Sequence, residues 1–253
     1  MAHIPRVLHP APLEAGAEIP LPPERAHHLH TVLRRAAGAP VRVWNGEGQE
    51  ADADILSLSH KAGRLRLGSV EHVNTESPLP LMLAQAVSRG DRFEAALQAA
   101  VELGAQAIQP LWTEFGAPAL KAERLQKKQL SWERLCLGAA EQAERSRLPE
   151  VLPALPLSEW LSKRPTGLFL HPSGSSLPAA TLARMAQAPT GCWVVVGPEG
   201  GFSSGEAQMA ADAGLNPLRL GPRILRTEHA GAALIAALQA LGGDWCQHAE
   251  LCP

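Results

Sequence analysis

Two glycine-broken loops near the C-terminal end of the chain carry the charged residues best suited to chemistry. The first loop, residues 197–201, has the sequence GPEGG, and the second, residues 221–228, has the sequence GPRILRTE. A carboxylate can accept a proton, and a guanidinium can stabilise a developing anion. Glu199 and Arg226 are therefore the candidate catalytic pair. A structural ion pair between them, bracing the two loops, is the other open interpretation.

The common phosphate-binding motifs are absent from both loops, which contain neither GxxxxGK[ST] nor GxGxxG. The segment 201–205 does fit GxSxG, the nucleophile elbow of α/β serine hydrolases, and Asp212 and His229 follow in triad order. An elbow leads directly from a strand into the serine turn, whereas loop residues intervene here and no HGGG sequence lies upstream. A serine hydrolase using Ser203 is thus the alternative function, although helix capping explains this serine more simply.

The elements around the loops follow from local patterning. Apolar, β-branched residues 193–196 and the segment 217–220 predict two short strands. Ser203 and Glu206 have capping-box spacing and predict a helix that ends at Gly214. An alanine-rich helix is expected over 229–241. In an open parallel sheet, loops that leave the ends of strands line one crevice, where ligands bind.

The two loop sequences also carry a family resemblance. GPEGGFSSGE followed by LGPRILRTEHA resembles the paired motifs of the bacterial ribosomal RNA small-subunit methyltransferase E family, within the SPOUT superfamily. The resemblance extends to AHHL and VLR near the N-terminus, to RGDRFEAALQAAVELG at 89–104 and to EQAER at 141–145. The family usually has Thr-Ala after LRTE, where this chain has His229-Ala230, so no role is carried over to His229.

The resemblance implies S-adenosylmethionine as the cofactor and N3 of one uridine in 16S ribosomal RNA, within the small ribosomal subunit, as the methyl acceptor. It implies a knotted SPOUT-type α/β fold, a largely parallel sheet with helices on both faces, and a homodimer. Positioning supplies most of the rate in such an in-line transfer. A structural role for the histidine at 171 stays open beside the cofactor role. The expected cofactor-binding residues are Leu170, His171, Gly197, Glu199, Gly200, Gly201, Leu220, Gly221, Ile224, Leu225, Arg226 and Thr227.

Composition limits the class of protein. The 253 residues are 45% hydrophobic, enough for one large or two modest domains without disulfides. A net charge of −2 argues against a broad nonspecific nucleic-acid binder, and 4% aromatic residues against a base-stacking single-strand binder. The four cysteines form no CxxC pair, so no metal site is expected. Without an apolar signal core or membrane span, we expect a soluble, cytoplasmic protein.

Residues 1–72 differ in pattern from the rest of the chain. Short strands are expected over 17–21, 41–44, 51–58 and 64–70, with a hairpin turn at Asn45-Gly46 and one helix over 23–37. The resemblance implies that this domain is a PUA-like RNA-binding β-barrel. The residues expected to contact RNA are Arg6, His27, Arg34 and Arg35.

The segment 74–80, rich in proline, is the expected linker, and residues 73–253 form the expected methyltransferase domain. Strands over 81–87, 107–112 and 168–170 alternate with helices beginning near Asp91 and spanning 121–147. That alternation predicts a largely parallel α/β sheet.

Overall fold

The structure is a computed structural model that describes residues 4–246. It divides into two compact units. The first contains the chain up to Glu76 together with Glu141–Leu148, and the second contains Ser77–Ala140 and the chain from Pro149 onward. The division thus falls a few residues beyond residue 72. Residues 141–148, which the sequence interpretation assigned to the second domain, pack with the first.

The first unit is built on a five-stranded sheet. Its strands are β1 (Arg6–Leu8), β2 (Glu18–Leu21), β3 (Pro40–Trp44), β4 (Gln49–Leu58) and β5 (Gly63–His72), in the order β1-β3-β4-β5-β2. β1 pairs with β3 in parallel, and the remaining pairs are antiparallel. The first residues of β5 alternate buried and exposed, as expected for a sheet with one face on a core. Within the described residues the sheet is open at β1 and β2, so the closed barrel stays a prediction.

The single helix expected over 23–37 was wrong. The chain forms α1 (Pro23–His27), then one π-helical turn at His28–Val32, and stops at Arg34, whose φ is 50°. A π turn has an extra residue, which rotates the following side chains away from the face that Leu29 occupies. Leu29 is buried, whereas Val32 is 60% exposed. The predicted apolar stripe therefore does not extend past the π turn.

The second unit contains a parallel sheet, as the alternation of strands and helices predicted. Its strands run in the order β12-β10-β11-β6-β7-β8, with β9 also pairing with β7. Their bounds are β6 (Leu81–Ala86), β7 (Ala107–Trp112), β8 (Glu150–Val151), β9 (Leu155–Pro156), β10 (Gly167–Ser175), β11 (Cys192–Val196) and β12 (Asn216–Leu218). The central strands are apolar and fully buried at Leu83, Leu168 and Val194, typical of a parallel sheet covered on both faces.

The helices of the second unit differ from prediction mainly at their ends. The long helix ends at Gln142 and not at residue 147, because Glu144 adopts a φ of 54°, outside helical geometry. Two short helices, over residues 157–162 and 179–186, were not predicted. The bounds are α2 (Arg92–Glu102), α3 (Ala122–Gln142), α4 (Leu157–Ser162), α5 (Ala179–Ala186), α6 (Ser204–Asp212) and α7 (Thr227–Gly242). Among the described residues, no helix combines the length and apolarity needed to cross a membrane.

Candidate active site

Ser203 caps helix α6, as its spacing to Glu206 predicted. The Ser203 Oγ accepts a hydrogen bond from the Glu206 amide at 3.3 Å, and the Ser203 amide donates to Glu206 Oε2 at 2.9 Å. The other oxygen of Glu206 accepts from the Glu114 amide at 2.8 Å. β11 ends at Val196, several residues before this serine. The strand-to-serine turn of a hydrolase is therefore missing, and the hydrolase alternative has no structural support.

Both loops use glycine where the backbone turns left-handed. Gly201 has a φ of 72° and Gly221 a φ of 69°. Side-chain-bearing L-residues adopt this region at a cost, whereas glycine adopts it freely. The open backbone at these turns leaves amide and carbonyl groups accessible to a ligand.

The two loops line one cavity of about 730 Å³ in the second unit. All twelve residues expected to bind the cofactor line it, including Leu170 and His171 of β10. Sequence analysis missed Arg92 at the start of α2 and gave no role to Glu228, and both line the cavity as well. One signal could have identified Arg92: it follows β6, which pairs with β11 in parallel, so the loops after these two strands meet at the same sheet edge.

Thr227, the first residue of α7, joins the second loop to the first. Its hydroxyl donates to the Gly197 carbonyl at 2.6 Å and accepts from Gln85 Nε2 at 2.9 Å. Thr227 is 7% exposed and Gln85 is fully buried in β6. The N-terminus of α7 is therefore tied to both the Gly197 loop and the centre of the sheet.

The charged side chains in the cavity do not form the ion pair that was the alternative interpretation of Glu199 and Arg226. Glu199 Oε1 lies 2.7 Å from the Arg92 guanidinium, while Arg226 Nη1 lies 3.8 Å from Glu228 Oε1. Partial burial acts to raise the pKa of Glu199, but hydrogen bonds from its own amide and from Arg92 outweigh it, so the pKa lies below its ordinary value of 4.5. The hydrogen bond to Glu199 raises the pKa of Arg92, and the charge of Glu228 adds to that rise. Glu199 and Arg226 share the cavity without pairing with each other.

The cavity is more basic than the chain as a whole. Four arginines and two glutamates line it, a formal charge of +2 against −2 for the whole sequence. The imidazole of His171 stacks on Phe169, with centroids 5.7 Å apart and planes 10° apart, and its Nδ1 lies 2.7 Å from Ser173 Oγ. The ring of His171 is thus oriented on both sides by its own strand while it faces the cavity.

The four residues expected to contact RNA lie in the first unit and differ in exposure. Arg6 is interior: its side chain is 6% exposed, it is ion-paired with Glu50, and its guanidinium lies 4.7 Å above the Trp44 ring. His27 and Arg34 are exposed, and Arg35 is half-buried. Arg6 therefore supports the first unit from inside, whereas the residues around the π turn face solvent.

The groups lining the cavity fit S-adenosylmethionine. Cofactor pockets are typically concave, about 300–1,000 Å³ in volume, and apolar with a few polar groups. Leu170 and Leu225 give the cavity apolar surface of the kind that suits an adenosine, and Gly197, Gly200 and Gly201 add backbone amide and carbonyl groups without side chains. Among the described residues no cluster of side chains could hold a metal ion.

Comparison with known proteins agrees with this architecture. Residues 75–239 match the family model of the RNA methyltransferase domain. The ribosomal RNA small subunit methyltransferase E of Synechocystis sp. is 34% identical, over 89% of this chain and 74% of its own length. Two solved structures are each 35% identical and cover 96% of this chain and 100% of their own. One is a Legionella pneumophila protein in complex with the cofactor SAM (TM-score 0.88). The other is the ribosomal RNA small subunit methyltransferase E of Neisseria gonorrhoeae bound to S-adenosyl methionine (TM-score 0.86).

The family model covers most of the second unit, and the relatives match nearly the whole chain. Both findings agree with the cavity at the sheet edge. The chain belongs to the ribosomal RNA small subunit methyltransferase E family.

Proposed function

We propose that this protein transfers a methyl group from S-adenosylmethionine to N3 of a uridine in 16S ribosomal RNA. The observation that carries the proposal is that both family loops line one cavity, together with charged side chains. The related Neisseria gonorrhoeae and Legionella pneumophila structures, both with the cofactor bound, support the choice of cofactor.

In this proposal the backbone of the two loops holds the cofactor, with Leu170 and Leu225 as apolar walls. When bound, the cofactor supplies an electrophilic methyl on a sulfonium. Thr227 fixes the separation of the loops through its bond to the Gly197 carbonyl. The 3.8 Å contact of Arg226 with Glu228 leaves its guanidinium mostly exposed, with capacity to stabilise negative charge that develops on the uracil.

The first unit supplies RNA affinity in this scheme. The exposed side chains of His27 and Arg34 surround a π turn, and such turns are frequent at functional sites. We also propose that this unit is a PUA-like barrel and that the second unit contains a SPOUT knot. The family resemblance implies both features. We place the protein in the cytoplasm, acting on RNA of the small ribosomal subunit.

A homodimer belongs to the same proposal. Leu241, in the last turn of α7, is 37% exposed, and Trp245, in the 3-10 turn that follows, is 57% exposed. Large apolar side chains in solvent mark interaction surfaces when they cluster, and a two-fold pair is the commonest oligomer. Light scattering at micromolar concentration tests this part, and a fully active monomer would contradict it.

The direct test measures methyl transfer. Purified protein and labelled S-adenosylmethionine are incubated with small-subunit RNA, and with whole subunits, from a strain lacking this modification. We expect N3-methyluridine after nuclease digestion and mass spectrometry. Another methylated nucleoside, or none from either substrate, would refute the proposed acceptor.

The Arg226→Ala variant tests the site. Removing one group that stabilises the transition state typically costs about 10²–10³ in rate. We expect that loss in turnover with little change in cofactor affinity, since backbone groups hold the cofactor. An equal loss of cofactor affinity and turnover would instead make Arg226 a support for the loop.

A further inference from the structure

Glu228 is a carboxylate with unused hydrogen-bonding capacity in the active-site cavity. It is the second residue of α7, its side chain is 12% exposed, and it lines the cavity. Its Oε2 is buried and has no hydrogen-bond partner among the described residues 4–246. A buried acceptor without a partner costs free energy, so such atoms are rare, and a group that donates a hydrogen bond to one is stabilising. A ligand that brings a proton to this oxygen would remove that cost.

The other carboxylate of the cavity is already engaged. Glu199 accepts a 2.7 Å hydrogen bond from Arg92, and its pKa lies below the ordinary value despite partial burial. A lowered pKa makes a carboxylate a weaker proton acceptor. Glu228 has only the 3.8 Å approach of Arg226 to its Oε1. Of the two carboxylates, Glu228 is thus the one with an oxygen that accepts no hydrogen bond within the described residues.

Two cationic side chains lie near Glu228 without bonding to that oxygen. The charge of Glu228 contributes to the raised pKa of Arg92 in α2. Arg226 approaches from the second loop. The first residues of α7 add the partial positive charge of a helix N-terminus. The remaining titratable groups that line the cavity are His171, Glu199, Arg219 and Arg223.

We propose that Glu228 is the general base that takes the proton from uridine N3 during methyl transfer. This inference rests on the proposed function, because a proton must leave N3 only if N3 is the acceptor. The N3–H bond breaks and its proton passes to the Glu228 carboxylate. The electron pair left on N3 forms the bond to the methyl carbon, and the carbon–sulfur bond breaks with its electrons going to sulfur. Glu228 then releases the proton to water, and no other reactant is needed.

The test is the pH dependence of the Glu228→Gln variant in single-turnover methyl transfer. Loss of a general base typically lowers the rate by about 10²–10⁴-fold. We expect that loss at neutral pH, with a rate that rises as pH increases, because solvent must then remove the N3 proton. The wild-type rate should be much flatter over the same range. RNA made with 5-fluorouridine, whose N3 proton is more acidic, should restore much of the variant's rate and change the wild-type rate little.

Two further variants complete the design. Glu228→Asp keeps the carboxylate and should retain more activity than Glu228→Gln, with a flatter pH profile. Glu94→Gln is the matched control, since Glu94 pairs with Lys128 at 2.7 Å outside the large cavity, and it should keep wild-type activity. Melting curves establish whether each variant is folded. If Glu228→Gln does not fold, Glu228→Asp is compared with wild type instead.

Three outcomes would overturn the inference. One is a Glu228→Gln rate that matches wild type, and another is a rate lowered by the same factor at every pH and on fluorinated RNA. The third is an Asp variant no better than the Gln variant. A variant that loses affinity for the cationic cofactor but not for its neutral demethylated product, with an unchanged pH profile, would make Glu228 a counter-ion. If wild type forms no N3-methyluridine, the proposed function itself fails, independently of Glu228.

Discussion

Removing the Thr227 hydroxyl should loosen the active-site cavity and destabilise the second unit together. Thr227→Val keeps the shape of the side chain but deletes the donor to the Gly197 carbonyl at 2.6 Å and the acceptor of Gln85 Nε2 at 2.9 Å. Gly197 is only half-buried, so a water molecule can replace the lost donor there. Gln85 is fully buried, and the cost falls mainly on it.

The size of the expected stability loss follows from the contacts that Gln85 would keep in Thr227→Val. Its Oε1 already has no partner among the described residues, and its Nε2 would keep only a 3.4 Å contact with the Ala86 carbonyl. Leaving a buried donor unsatisfied costs about 1–3 kcal/mol. For a unit of this size that corresponds to a fall in melting temperature of about 2–12 °C. The bond to Gly197 contributes a net 0.5–1.5 kcal/mol or so, which predicts about a 2- to 12-fold weaker cofactor affinity.

Thermal melting and calorimetric binding of S-adenosylmethionine measure the two effects in parallel. Thr227→Ser keeps the hydroxyl and should restore most of both losses, whereas Thr31→Val, at an exposed threonine of the first unit, should change neither. A Thr227→Val variant that melts and binds like wild type would refute the role of this hydroxyl. If Thr227→Ser is as impaired as Thr227→Val, the methyl group matters and the hydroxyl does not.

Four other substitutions test separate parts of the structure. Ser203→Ala should cost about 1 kcal/mol of stability by removing the cap of α6, with methyl transfer kept in an activity assay. Glu199→Gln should be less stable than wild type at neutral pH. Because the folded-state pKa of Glu199 is lowered, its pair with Arg92 stabilises above the ordinary value of 4.5, and in acid denaturation the difference should vanish as the pH falls below it. Arg6→Gln removes one of the two arginines paired with the buried Glu50 carboxylate, since Arg42 Nε stays 3.0 Å from it, and should lower the free energy of unfolding in urea by about 1.5–3 kcal/mol. Arg34→Gln should spare stability and weaken RNA binding in a salt-dependent manner.

Local chemistry made much of the fold and the cavity predictable from sequence. The short apolar strand before Gly197 and the capping box at Ser203 each depend on residues within a few positions, so their patterns are visible in the chain. The convergence of the two loops follows from a rule about the ends of parallel strands. The residues expected to line one cavity therefore do so.

Long-range pairing made the rest unpredictable. Arg92 and Glu199 lie 107 positions apart, and nothing in either neighbourhood marks them as partners. Arg6 was expected to face RNA because the N-terminal motifs resemble those of the family, yet Glu50, 44 positions away, holds it inside the first unit. The π turn at His28–Val32 contains the buried Leu29, whose packing is a tertiary contact that local sequence patterns do not contain. These differences arise from tertiary contacts that outweigh local propensity.

The exposure of the second loop agrees with a reaction on a macromolecule. Ile224 is 89% exposed and Leu225 37%, and the Arg226 side chain is 77% exposed, although all three line the cavity. A small substrate could react inside a closed cavity, where exposed apolar side chains would only cost free energy. A nucleotide within a folded RNA must instead be presented from solvent, to a cavity with one open wall. The exposed side chains of the second loop thus leave the cavity open to an acceptor that approaches from solvent, which suits the positioning that in-line methyl transfer requires.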